Sequence, residues 1–214
     1  MLVAMSSRSA PSAASLATCL VMAVGHQALD PWALGASTPH PSPNEESICV
    51  IAPRLTTLPN GTVQAVVALR APTLFAQGQF AAVWLEQNGR LLWQRQAGAH
   101  GPIEGPMPWP LAPLQPGELL QLRLRPLTAA NDSVATVQLM AAPATVLARN
   151  QALLRHLAND PAAWLQAVNQ ALNRQDIPLA WGLLFAFEGP RSPELDALRL
   201  TVFERGCGES ATPP

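Results

Sequence analysis

The sequence predicts an α+β fold: an antiparallel immunoglobulin-like β-sandwich over residues 47–142, followed by a small all-helical segment over residues 143–206. Short runs with strand-like alternation, separated by Gly, Pro and Asn turn signals, fill the first region. After Pro143 the apolar residues recur at helical spacing instead. Six or seven short strands within about 95 residues fit a sandwich better than a parallel sheet.

Composition excludes several classes of protein. The chain has 214 residues, of which 49% are hydrophobic, and this is enough apolar surface for a folded core rather than a disordered polar tail. All 13 basic residues are Arg, and the formal net charge is −1. A nucleic-acid binder normally carries a concentrated basic footprint, so we expect no nucleic-acid partner.

The N-terminal region has the outline of an export signal. Residues 1–25 combine Arg8, a short apolar run over Leu16–Val24 and a small-residue site at Ala23-Val24-Gly25, and we interpret them as a signal peptide. The apolar run is far shorter than the roughly 20 residues that cross a bilayer, so no membrane span is predicted. We therefore expect an exported protein, periplasmic, envelope-associated or secreted. The alternative is a disordered N-terminus with a chance apolar patch.

Residues 26–46 form a Pro- and Ser-rich stretch without periodicity, and we interpret them as a linker. Removal of the signal would also remove Cys19 and leave Cys49 and Cys207. An even pair in an exported protein predicts a disulfide, here between the first strand and the C-terminal tail at 207–214. Two unrelated thiols remain the alternative, because the sequence does not show proximity.

The predicted strands share period-two alternation and turn signals at their ends. Asn60-Gly61, Asn88-Gly89 and Asn131-Asp132 mark three of the turns. The strands in chain order are Ser47–Ala52, Thr62–Arg70, Gln79–Gln87, Arg90–Gln96, Glu118–Arg125 and Val134–Met140.

The hairpin around Asn88-Gly89 carries the first candidate binding residues. A two-residue loop pairs the residues on either side of it, and counting back along the strands pairs Trp84 with Trp93. We expect these two rings to form an aromatic pair in the core of the sandwich. The alternative is an exposed aromatic platform for a sugar ring or a peptide. The opposite face of the hairpin, which includes Val83 and Leu85, is then predicted to be the outer surface.

A third tryptophan lies in the Pro-rich segment 102–116. Pro110, Pro113 and Pro116 have PxxPxxP spacing, which suits a polyproline II ligand, although an intramolecular connection between strands explains the segment more simply. Trp109 in this segment either caps the sandwich or contacts a partner. Further on, Arg123 and Arg125 project from one strand face, and we expect a solvated stripe because no aromatic residue accompanies them.

Four helices are predicted after Pro143. Their start signals include Asp160, Asp176 and Ser192, each close to a proline. The third helix (LAWGLLFAF) is apolar all round and should be central. The second and third helices form either an ordinary hairpin or a tetratricopeptide-like unit. We predict that Leu195–Phe203 is helical, with a strand as the alternative, and that Gly206 ends this helix.

The chemistry-bearing residues form no recognisable constellation. The four His residues are scattered, and the sequence contains no metal-ligand spacing, phosphate-binding loop or nucleophile motif. We predict no catalytic residue, no metal and no cofactor.

Several segments resemble a family of uncharacterised cyanobacterial exported proteins. They are the hairpin WLEQNGRLLW (Trp84–Trp93), the strand LAPLQPGELLQLRLRP (Leu111–Pro126) and the helical stretch LANDPAAWLQAVNQAL (Leu157–Leu172), with Cys49 before the first strands. The resemblance covers about residues 47–187. It implies a signal-like start, a small β-sandwich and C-terminal helices of repeat-like character, and it implies no activity.

These expectations favour a non-enzymatic interaction or structural module of the cell envelope or periplasm, with an unknown protein or glycan partner. The alternative is a carbohydrate- or peptide-binding module that uses Trp84, Trp93 and Trp109. An envelope enzyme with an unrecognised site is the third interpretation.

Overall fold

The computed structural model describes residues 48–99, 101–128 and 133–207, and in these ranges the protein is α+β. The described strands are β1 (Cys49–Ala52), β2 (Thr56–Thr57), β3 (Val63–Val67), β4 (Leu74–Gln77), β5 (Phe80–Gln87), β6 (Arg90–Gln96), β7 (Pro106–Met107), β8 (Leu119–Pro126) and β9 (Ala135–Ala141). The described helices are α1 (Ala144–Leu157), α2 (Pro161–Asn173), α3 (Ile177–Ala186) and α4 (Pro193–Cys207).

The larger sheet has six strands in the order β2-β3-β9-β8-β5-β6. All of its neighbours are antiparallel except β3 and β9, which run parallel. The prediction of a purely antiparallel fold is therefore wrong, and the sheet is mixed. Between β3 and β9 the chain forms β4, β5, β6, β7 and β8, of which β4 and β7 belong to the smaller sheet. Parallel neighbours need such a long connection.

The smaller sheet has three strands in the order β1-β4-β7. Neither β4 nor β7 was expected from the sequence. They have four and two residues and lie among prolines, so they contain too little alternation to be recognised. Their place in the fold comes from long-range pairing, since β4 pairs with β1 and β7 pairs with β4.

The two sheets share a hydrophobic core. Leu122, Leu139 and Val83 from the larger sheet lie in one cluster with Leu74 and Ala76 from the smaller sheet. Side chains alternate along a strand. Leu74 and Ala76 of β4 therefore point into this core, and Phe75 between them points to the opposite face of the smaller sheet.

A second core lies on that opposite side of the smaller sheet and contains the helices. Phe75 and Ile51 pack there against the apolar α3, and the rings of Phe75 and Phe185 are 5.7 Å apart. The prediction that the third helix is central is confirmed, because Leu183 and Leu184 are fully buried in this core. The smaller sheet is thus covered on one face by the larger sheet and on the other by helices.

The predicted helix starts are confirmed by side-chain caps. Asp160 Oδ1 accepts a hydrogen bond from Ala162 N at 3.0 Å, and Asp176 Oδ1 accepts one from Leu179 N at 3.3 Å. Ser192 Oγ caps α4 in the same way. Leu195–Phe203 is helical as predicted, but the helix continues through Gly206 to Cys207, so Gly206 does not end it.

A disulfide joins the two ends of the described chain. Cys49 and Cys207 are bonded through their Sγ atoms, with their Cα atoms 5.8 Å apart, and the bridge links β1 to the last turn of α4. The sequence separation of 158 residues makes it a very long loop closure. Cys207 therefore belongs to a helix and not to an irregular tail.

Several sequence expectations lie outside the described residues: the signal peptide at 1–25, the linker at 26–46, the turn at Asn131-Asp132 and residues 208–214. Among the helices that the structure describes, none has the length and apolar character needed to cross a membrane.

Candidate interaction surface

The β5–β6 hairpin places Trp84 and Trp93 on different faces of the larger sheet. The turn is as predicted: Asn88 and Gly89 have φ values of 52° and 77°, as a type I′ turn requires, and Gln87 pairs with Arg90. A register shift then follows between Leu85 and Glu86. The predicted pairing of Trp84 with Trp93 is therefore wrong.

The shift is a β-bulge in which Leu92 is the extra residue, since Glu86 pairs with Leu91 and Leu85 pairs with Trp93. A slip of one residue moves every side chain beyond it to the other face of the strand. Trp93 consequently packs against the core between the sheets, whereas Trp84 lies opposite Gln94 and faces away from that core.

The facing predicted for β5 is also wrong, because it was inferred from a Trp84–Trp93 pair in the core. Val83 and Leu85 were expected on the outer surface, but both are fully buried in the core. The outward-facing side of the larger sheet, which we call the outer face, instead carries the residues that alternate with them.

The outer face is built from cross-strand rows of side chains. The central row contains Trp84 on β5, with Arg123 and Gln94 opposite it on the two neighbouring strands. On one side of the central row lies a second row, which is mostly glutamine. An apolar row crosses the sheet beyond that second row. The cross-strand neighbours are Thr136, Arg123, Trp84 and Gln94; Gln64, Gln138, Gln121 and Glu86; Val66, Met140 and Leu119; and Arg125, Ala82 and Gln96.

Two guanidinium groups lie over the ring of Trp84. The Cζ atoms of Arg123 and Arg125 are each 5.6 Å from its centroid, within the range of a cation–π interaction. The expectation that no aromatic residue accompanies these two arginines is therefore wrong. Their aromatic partner comes from β5, a strand that precedes them by about 40 residues in the chain, and only the sheet pairing brings it close.

The two arginines differ in their other contacts. Arg123 Nη1 donates a hydrogen bond to Glu86 Oε1 at 2.9 Å, and this ion pair is part-exposed, so it contributes about 0–1 kcal/mol and mainly orients the guanidinium. Within the described ranges no carboxylate forms an ion pair with Arg125. Arg125 therefore keeps hydrogen-bonding capacity for an incoming anionic group.

Beyond the row that contains Gln121, the apolar row is open to solvent. Leu119 is 45% exposed, Val66 37% and Met140 36%, and the three lie next to one another on β8, β3 and β9. Trp, Met and Arg are the residue types that protein–protein interfaces contain more often than the rest of the surface does. The outer face therefore has the composition of an interface.

The remaining candidate, Trp109, lies in the connection that follows β7. Its Nε1 donates to Ala112 O at 3.0 Å, and its ring packs against the core between the sheets. In the same segment Leu114 is buried and its N donates to Arg70 O at 2.8 Å. The segment with PxxPxxP spacing thus makes intramolecular contacts, and the three tryptophans do not form one platform.

The described residues contain no group of three or more His, Cys, Asp or Glu side chains placed to hold a metal ion. The groups with chemistry on the outer face are one carboxylate already paired with an arginine, two guanidiniums and amides. This set suits recognition of a partner by hydrogen bonds and charge.

Comparison with known proteins assigns no family. No protein-family model matches the chain, and no curated protein matches it. Among solved structures, the fibronectin(III)-like modules of Clostridium thermocellum CbhA match with 12% identity, covering 42% of this chain and 96% of that one, at a TM-score of 0.25. A likeness at this level carries no inference about fold or function.

The position of Trp84 predicts selective quenching of its fluorescence. Iodide should reach the half-buried Trp84 and be attracted by the two arginines, whereas Trp164 is 7% exposed and shielded. Trp84→Phe should therefore remove a larger share of the iodide-quenchable emission than Trp164→Phe does. Stern–Volmer titration of the two variants measures the difference, and equal losses would show that Trp84 is not accessible on the outer face.

Proposed function

We propose that this protein is an exported, non-enzymatic interaction module of the cell envelope or periplasm that binds a partner protein through the outer face. The observation that carries the proposal is the cluster of Trp84, Arg123 and Arg125 on the same face of the sheet as an exposed apolar row. A tryptophan flanked by arginines is the kind of group that supplies most of the binding energy in protein interfaces.

Two further observations support the compartment and the architecture within this proposal. A structural disulfide persists in oxidising compartments such as the periplasm, and Cys49 and Cys207 form one. The shared core of the two sheets is consistent with an immunoglobulin-like sandwich. The proposal also includes kinship with the uncharacterised exported proteins that the sequence resembles.

The second candidate, a carbohydrate-binding module with an aromatic platform, is less well supported. Trp84 alone of the three proposed platform residues lies on the outer face, and two guanidinium groups lie over its ring. A sugar would have to displace those groups before it could stack on the ring. No observation favours the envelope enzyme over either binding function.

Site-specific cross-linking in the native host tests the proposed function. Thr136 is exposed and lies opposite Arg123 in the central row, so a photoreactive benzoylphenylalanine at this position should reach a bound partner. We expect a discrete protein adduct in the envelope or periplasmic fraction, and a several-fold weaker adduct when Trp84→Ala is introduced.

The matched control places the same photoreactive residue at Gln166, an exposed position on α2. It should give no adduct of the same mass. If positions 136 and 166 give the same products, or if neither gives any, the outer face does not bind a partner protein.

A further inference from the structure

The larger sheet has a free edge at β6 within the described part of the chain. β6 is the last strand of the six, and in the described part of the chain no strand pairs with its outer side. It has seven residues and is largely exposed. An edge of this length presents main-chain groups to which another extended segment can pair.

The hydrogen bonds of the hairpin show which main-chain groups point outward. Ala97 N donates to Ala81 O at 2.8 Å, so this pair is hydrogen-bonded towards β5. Hydrogen-bonded and non-hydrogen-bonded pairs alternate along an antiparallel ladder. It follows that the N–H and C=O groups of Gln94 and Gln96, which pair with Trp84 and Ala82, point away from β5.

The charge around this edge is concentrated and positive. The strands β5, β6 and β8 contain Arg90, Arg95, Arg123 and Arg125. The carboxylates beside them are Glu86 on β5 and Glu118, which accepts a hydrogen bond from Gln87 Nε2, so four positive charges against two negative charges give +2. The whole chain has a formal net charge of −1. A ligand strand that pairs here therefore gains from acidic side chains.

We propose that the outer edge of β6 binds an extended, acidic segment of a partner protein as an additional strand. The proposal rests on the proposed function and adds the chemistry of the partner. The main chain of the segment pairs with Gln94 and Gln96, and its side chains on the outer face lie next to those of Gln94 and Gln96, with Trp84 one strand further in. Acidic side chains that alternate with them lie on the other face of the segment, next to Arg95, which alternates with Gln94 and Gln96 on β6.

A second copy of this protein is a poorer occupant of the edge. Two β6 edges would bring net charges of +2 together, and like charges on paired strands are destabilising. An acidic polysaccharide would satisfy the charge, but it lacks the peptide main chain that the outward groups of Gln94 and Gln96 can pair with. The test therefore compares an acidic peptide with an acidic glycan.

The test titrates the full chain with a fluorescein-labelled peptide in which Glu alternates with Val. We expect saturable binding that is at least about tenfold weaker for the matched peptide with Gln in place of Glu. Gln94→Pro removes an N–H that points away from β5, so it leaves the β5–β6 ladder intact and blocks the outer edge. It should weaken binding by about tenfold or more, whereas the control Gln94→Ala should change it by less than about threefold.

A second measurement leaves the protein unaltered and so does not depend on folding of the proline variant. Two peptides are N-methylated on alternate amides, in the two possible registers. If the peptide adds as a strand, only every second amide faces β6. Methylation of those amides should abolish binding, and methylation of the other amides should leave binding unchanged.

Equal binding by both methylated peptides, equal effects of Gln94→Pro and Gln94→Ala, or no binding of the acidic peptide would each overturn the proposal. Competition by oligogalacturonate that is as effective as the peptide and insensitive to Gln94→Pro would assign the site to a glycan instead. A cross-link from Thr136 would survive any of these results, so failure of the strand-addition proposal and failure of the proposed function are distinguishable.

Discussion

Replacing Cys49 and Cys207 together by Ser should lower the free energy of unfolding by about 5 kcal/mol. The bridge spans 158 residues, and in the chain-entropy model so long a closure removes a large amount of conformational freedom from the unfolded chain. Since small proteins are stable by only about 5–15 kcal/mol, this loss is a large fraction of the total. Urea unfolding followed by circular dichroism measures it.

Reductant supplies the matched control for this prediction. It should destabilise the parent protein by the same amount and leave the double serine variant unchanged, because that variant has no bridge between β1 and α4 to lose. A double variant as stable as the oxidised parent would contradict the assigned role of the disulfide in holding α4 against β1.

Leu183→Ala should destabilise the protein by about 2–5 kcal/mol. Leu183 is fully buried in α3, the helix around which the second core is formed, and neighbouring side chains are held by several different elements. These neighbouring side chains cannot move together to fill the space that the leucine side chain leaves, so a cavity remains. The cost of the cavity adds to the lost transfer free energy of the removed atoms. Thermal or urea unfolding measures the change.

Leu200→Ala is the control with the same chemical change at the surface. Leu200 lies on α4 and is 56% exposed, so the cost should be within about 0.5 kcal/mol. Similar losses for the two variants would show that α3 is not at the centre of the helical core.

The sequence predicted the helices and their starts well because the signals are local. Asp160, Asp176 and Ser192 each cap a helix a few residues downstream, and these contacts do not depend on the rest of the fold. The all-apolar composition of α3 likewise indicated its central position, since no face of it tolerates water.

The candidate surface was predicted less well because it depends on one bulge and on long-range pairing. The turn at Asn88-Gly89 sets the register at its own end, but the extra residue, Leu92, reverses the facing of every position beyond it. No feature of Leu91-Leu92 indicates which residue is unpaired. The contact of Trp84 with the arginines on β8 likewise requires the sheet order, which alternation alone does not supply.

The cross-link formed from Thr136 in the native host, analysed by mass spectrometry, tests the central claim most directly. We expect an adduct to one partner protein in the envelope or periplasmic fraction, and a several-fold weaker adduct in Trp84→Ala. An adduct whose yield is unaffected by Trp84→Ala, or the same adduct from Gln166 on α2, would contradict it.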